Sequence, residues 1–219
     1  MTRARANRTP GGSRRVSPWL IVVFATLLVA NIAIWSVLVY DWSTRVRYTG
    51  PGQEEIDARR EAVREAPRDP GALLALAYAY QQTGRYDDAL FTYDAVLEVL
   101  PVETAALYNR GVILLELGDA AAAEESLRSA LEVNPGHVLS AAVLARHYIS
   151  LGEYESVLNV VLPALERRSG DADLHYLAGL AYERMGDLDQ AEERYRLALA
   201  YYPDMREASD ALARLGATP

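Results

Sequence analysis

Three histidines, His137, His147 and His175, are the side chains of this chain that ordinarily titrate near neutral pH. Neither interval between them is one that metal-ligand sets use. Cysteine is absent, which excludes disulfides, thiolate zinc sites and a cysteine nucleophile. Glu124-Glu125 and Glu192-Glu193 set carboxylates side by side in sequence. Neighbours on a helix point in different directions, so these pairs read as solvated faces and not as an acid–base couple. No phosphate-cradling glycine loop and no nucleophile elbow occurs; Gly11-Gly12 and Gly50-Pro51-Gly52 read as linker. The side chains therefore point to recognition and not to covalent chemistry. No enzyme activity, metal or cofactor is expected.

The elements behind them begin with charge. All 22 basic residues are arginine, set against 30 acids in 219 residues. Arg3, Arg5, Arg8, Arg14 and Arg15 lie ahead of Asp41, which is the first acid of the chain; the remainder holds 17 arginines against all 30 acids, a net of -13. An acidic folded part lacks the basic surface that phosphates require, so no nucleic-acid partner is expected.

No charge occurs between Arg15 and Asp41. A helix needs about 20 apolar residues to cross a bilayer core. Trp19 at one end, with Tyr40 and Trp42 at the other, would sit in the two interfaces. The run is longer than the apolar region of a signal peptide and lacks a small-residue cleavage site after it. The reading is a basic cytoplasmic tail (1–17), a transmembrane helix (18–42) and a linker (43–52). Basic flanks stay inside, so the rest of the chain is expected outside the cytoplasmic membrane.

Beyond the linker the chain repeats. Gly84, Gly118, Gly152 and Gly186 recur at one constant interval, and Pro67, Pro101, Pro135 and Pro203 share the grid, with Ser169 as its one break. Small residues, Ala77, Gly111, Ala145 and Gly179, precede each glycine by seven; Ala89, Ala123, Val157 and Ala191 follow it by five. The period predicts helix pairs turning at the glycines. Asp69-Pro70 and Asp204 with Glu207 read as helix starts, and Pro163 predicts a kink or an early end of its helix.

The pattern Leu73…Leu76-Ala77…Tyr80…Gly84…Ala89…Tyr93…Val96…Pro101, and its in-phase copies from Thr104, Val138 and Ala172, resemble the tetratricopeptide repeat. The resemblance implies an all-α fold: after the transmembrane helix, a right-handed solenoid of four repeats at 70–103, 104–137, 138–171 and 172–204. A partial leading repeat (53–69) precedes them, and a capping helix and tail (205–219) follow. It also implies a concave groove lined by the first helix of each repeat. The positions carried over are Leu74, Tyr78, Gln81 and Gln82; Tyr108, Asn109, Val112 and Leu115; Ala142, Val143, Arg146 and Ile149; and Tyr176, Leu177, Leu180 and Glu183.

That wall is apolar and aromatic, the composition of an interaction surface. A carboxylate clamp of the kind some family members use is incomplete here, with Asn109 and Arg146 alone in place and no lysine. Arg146 is placed to meet an acidic group or a chain terminus. The expected partner is a protein: an apolar peptide or helix. The layout resembles single-span bacterial repeat proteins, which implies an inner-membrane scaffold or assembly factor with an extracytoplasmic repeat domain. Some such proteins assist cytochrome c maturation and others accompany the translocon. The competing reading is a stoichiometric subunit of a larger membrane complex, with Asn31 in the span as a contact.

Overall fold

The computed structural model describes Trp19 and residues 52–216. The expected tail 1–17, the transmembrane helix 18–42 apart from Trp19, and the linker 43–52 apart from Gly52 lie outside the described residues. Among the described residues no helix is long and apolar enough to cross a membrane.

From residue 53 onward ten helices follow one another, with no strand among the described residues: α1 (Gln53–Glu65), α2 (Pro70–Gln82), α3 (Tyr86–Val99), α4 (Thr104–Leu117), α5 (Ala120–Val133), α6 (Val138–Leu151), α7 (Tyr154–Arg167), α8 (Ala172–Met185), α9 (Leu188–Tyr201) and α10 (Arg206–Arg214). Aspartates start many of them. Asp69 has extended backbone and accepts the Ala72 N–H at 2.8 Å, with Pro70 filling the first helical position where no N–H is needed. Asp119, Asp171 and Asp187 cap α5, α8 and α9 in the same way.

The turn glycine is required by backbone conformation. Gly118 has φ +85°, a left-handed value, and nothing lies within 4 Å of where its Cβ would stand. The small residue inside the first helix is required by space. A Cβ on Gly179 would stand 2.7 Å from the Tyr195 ring, and one on Gly111 would stand 2.7 Å from Leu127 Cγ. The slot opposite, Tyr93, Leu127, Val161 and Tyr195, is fully buried in all four repeats. Each first helix therefore closes onto its second helix around one buried side chain.

Arginine–tyrosine latches tie neighbouring repeats. Arg60 on α1 donates to the Tyr80 hydroxyl at 2.7 Å, and two repeats further on, Arg128 on α5 donates to the Tyr148 hydroxyl at 2.7 Å. Tyr148 in turn donates to Glu124 at 2.5 Å, and this bond, with that from Arg128, holds the Glu124 carboxyl below its ordinary pKa. Glu124 is thus part of a latch and not a bare solvated face. Where the tyrosine slot holds Leu114, Arg110 binds Asp94 at 2.8 Å and the buried Ser126 hydroxyl instead.

Two expectations are corrected. Pro163 neither ends nor interrupts its helix, which runs on to Arg167. The proline sits on the exposed side while Val160, Val161, Ala164 and Leu165 are buried, so packing holds the turn that lacks one backbone bond. The last helix is not started by Asp204: Met205 is its N-cap, with no side-chain bond, and burial of the Met205 side chain fixes the entry instead.

At Ser169, where the proline grid breaks, the backbone carbonyl meets a buried histidine. His175, 4% exposed, donates Nε2–H to the Ser169 carbonyl at 2.8 Å and stacks on Tyr201 with centroids 5.6 Å apart, while its Nδ1 has no hydrogen-bond partner among the described residues. Burial, with Arg194 nearby, lowers the His175 pKa despite the Ser169 carbonyl and Asp171. A histidine with a depressed folded pKa supports stability that is full above its unfolded value, about 6.5, and falls away as pH drops below it. Thermal melts of the full chain should therefore weaken between about pH 7 and pH 5, and His175→Gln should flatten that slope. His137, also lowered by burial, serves as the comparison variant; an unaltered slope in His175→Gln would remove His175 from the effect.

Candidate functional site

First helices of successive repeats pack on one another, α4 on α6 and α6 on α8, to an extent that second helices do not. The side on which like helices crowd is the inner side of the stack, so α4, α6 and α8 form its inner wall, and α2 is the equivalent helix of the first repeat.

The residues expected there fall into three groups. Tyr78 (52% exposed), Gln82 and Arg146 are open to solvent. Leu74, Tyr108, Asn109, Val112, Leu115, Val143, Ile149, Tyr176 and Leu180 are half-buried, several leaning on the cores beneath them. Ala142 and Leu177 are buried and offer little to a ligand. Tyr108 packs edge-on against His137, the N-cap of α6, with centroids 5.3 Å apart, which ties α4 to the start of α6. Tyr176 lies 5.8 Å from the Tyr195 ring, and burial raises its pKa. Asn109 makes no side-chain hydrogen bond among the described residues. A half-buried carboxamide with two donors and an acceptor in hand is suited to a peptide backbone.

Two polar residues on this wall are already engaged. Tyr93 donates its hydroxyl to Gln81 Oε1 at 2.7 Å, and Tyr195 donates to Glu183 Oε2 at 2.5 Å. Arg214 of α10 joins Glu183 at 3.3 Å. Burial, reinforced for Tyr195 by Glu183, pushes both phenols well above their ordinary pKa. The signal is present in the sequence. A tyrosine in the second-helix slot goes with Gln or Glu at the matching position of the first helix, Gln81 and Glu183, whereas Leu127 and Val161 go with Leu115 and Ile149.

Arg146 is also engaged. Its Nη2 lies 3.5 Å from Asp173 Oδ2 on α8, both side chains more than half exposed. A pair that open contributes about 0–1 kcal/mol, but it leaves the inner wall here with matched charge. Between Tyr78 and Leu180 the wall is apolar and aromatic around one half-buried, unengaged amide, a surface for an uncharged segment. Among the described residues no three His, Asp or Glu side chains gather as metal ligands would.

Three family profiles, each described as Tetratricopeptide repeat, match residues 74–138, 114–178 and 172–205. Together they span 74–205, more than half of the chain. A TPR repeat-containing protein of Methanocaldococcus jannaschii is 25% identical over 167 residues, 74% of this chain and 29% of that protein. Cellulose synthase operon protein C of Pseudomonas fluorescens is 25% identical over 61% of this chain and 11% of its own length. The chain thus spans less than a third of these curated relatives. Among solved structures, MamA of Desulfovibrio magneticus superposes with TM-score 0.59 at 21% identity, over 77% of this chain and 96% of that one. YrrB, a TPR protein described as having an unusual peptide-binding site, superposes with TM-score 0.59 at 19% identity, over 73% and 84%. At these identities the structural likeness is one of fold.

Proposed function

The chain belongs to the tetratricopeptide repeat family, and from that premise we propose that it is a membrane-anchored scaffold or assembly factor of the cell envelope. Its inner wall holds an apolar peptide or amphipathic helix of a partner protein. The observation that carries this reading is the inner wall itself: Tyr78, Tyr108, Val112, Tyr176 and Leu180 with Asn109 unengaged among them. Partly exposed aromatic and aliphatic side chains around an unengaged amide are the makings of a binding hot spot. The anchor is the uncharged run between Arg15 and Asp41, and the five arginines before it favour a cytoplasmic N-terminus with the repeats extracytoplasmic. That placement suits an adaptor working on envelope proteins, whether maturing cytochromes or chains leaving a translocon.

Protease added outside spheroplasts should digest the repeats and spare the N-terminus; protected repeats would overturn the orientation. The competing role, a stoichiometric subunit, separates from an adaptor by blue-native electrophoresis. The subunit migrates wholly with its complex, and the adaptor is expected to migrate mainly on its own.

A further inference from the structure

A second site lies on the opposite side of the stack. Between α5 and α7, on the second-helix face of the second and third repeats, is a cavity of about 190 Å³. Pockets for small molecules usually measure about 300–1,000 Å³, so this one has room for a single long side chain. Its walls are apolar: Leu131, Val160, Pro135 and Pro163. Its polar side chains are the Glu132 carboxylate, the Asn159 carboxamide and the Arg128 guanidinium. The Glu132 carboxylate and the Asn159 carboxamide make no side-chain bond or ion pair among the described residues. Pro163 has no N–H to give the carbonyl four residues before it, so the Asn159 carbonyl loses its usual helical donor. Arg128 also borders the cavity, but its Nε is held by Glu124 at 2.8 Å and its Nη2 by the Tyr148 hydroxyl at 2.7 Å, which occupies its charge and leaves its stem as wall.

We infer that this cavity receives an arginine side chain of a partner protein. The aliphatic stem lies against Leu131, Val160 and the two prolines, as long cationic side chains lie on apolar surface. The guanidinium forks between the Glu132 carboxylate and the Asn159 carbonyl that Pro163 leaves open. A planar head with five donors fits several acceptors at once better than an ammonium does. The proline that departs from the repeat pattern thus becomes part of a binding surface. This contact is independent of the inner wall, and a partner reaching both faces would gain from the link between them.

The test uses the full chain in lipid nanodiscs with methyl-labelled Leu and Val. Acetyl-Ala-Arg-Ala amide is titrated while the Leu131 and Val160 methyl resonances are followed. The same peptide with citrulline, which keeps the shape and loses the charge, serves as comparison. Saturable shifts with the arginine peptide are expected, at least tenfold weaker with citrulline and in Glu132→Gln, and severalfold weaker in Pro163→Ala, which returns an N–H to the Asn159 carbonyl. Glu132 is exposed, so its variant folds. Absence of saturable shifts, equal binding of citrulline, or unchanged binding in either variant overturns the assignment.

Discussion

Gly179→Val is expected to destabilise the fourth repeat by about 3 kcal/mol, the upper end of the usual cost of overpacking. The first atom added would stand 2.7 Å from two ring carbons of Tyr195 and 3.3 Å from the Ala191 carbonyl. Tyr195 is fully buried, and its hydroxyl is tied to Glu183, so the ring cannot retreat without breaking that bond. Helix propensity works the other way, since valine is better than glycine in a helix by a few tenths of a kcal/mol, about a tenth of the clash. The first repeat calibrates the effect. Ala77 stands at the equivalent position opposite Tyr93, and both are fully buried. The first repeat is thus spaced for one methyl, whereas at Gly179 the Cβ of alanine already meets the ring, so Gly179→Ala is expected to carry part of the loss and Gly179→Val, with two further methyls, the whole of it. Because each repeat leans on its neighbours, the loss should spread into α10 and the third repeat. The measurement is the thermal melt of the full chain; a Gly179→Val melt that overlays the parent's would show that the close approach is absent.

Tyr78→Ala with Asn109→Leu is expected to weaken partner capture more than tenfold while leaving helicity and melting unchanged. Tyr78 is 52% exposed and Asn109 has no side-chain hydrogen bond among the described residues, so removing them opens no cavity and orphans no buried group there. Truncation of a hot-spot side chain commonly costs about 2 kcal/mol or more in binding, which is more than tenfold. Loss of capture together with loss of helicity would place these residues in the core. Normal capture by a folded double variant would take the partner off the inner wall.

The fold is legible in the sequence because it rests on period. The glycine and proline grids fix where the helices turn, and the small residues at Gly111 and Gly179 fix how closely they pack. The candidate site is legible only in outline. Position within a repeat tells which side chains belong to the first helix, but not which are already satisfied by a neighbour. Gln81 and Glu183 are held by tyrosines of the same repeat, and Arg146 meets Asp173 of the next. The Arg146 pairing depends on how one repeat is rotated against the next, which a periodic pattern does not encode, whereas the Gln81 and Glu183 pairings recur at one spacing from their tyrosines and follow from the sequence once the tyrosine slot is known. Pro163 meets the same limit. A proline's local penalty is plain in sequence, whereas the four buried neighbours that hold its helix together are a tertiary effect.

The most direct test of the inner wall as the binding surface is site-specific photocrosslinking in the native membrane. A benzophenone amino acid is placed in turn at Tyr78, Val112 and Leu180 on the wall, and at Phe91, which is 78% exposed on the second-helix side of the first repeat. The same protein adduct is expected from the three wall positions and none from Phe91. An adduct from Phe91 with none from the wall would contradict the inner wall as the binding surface.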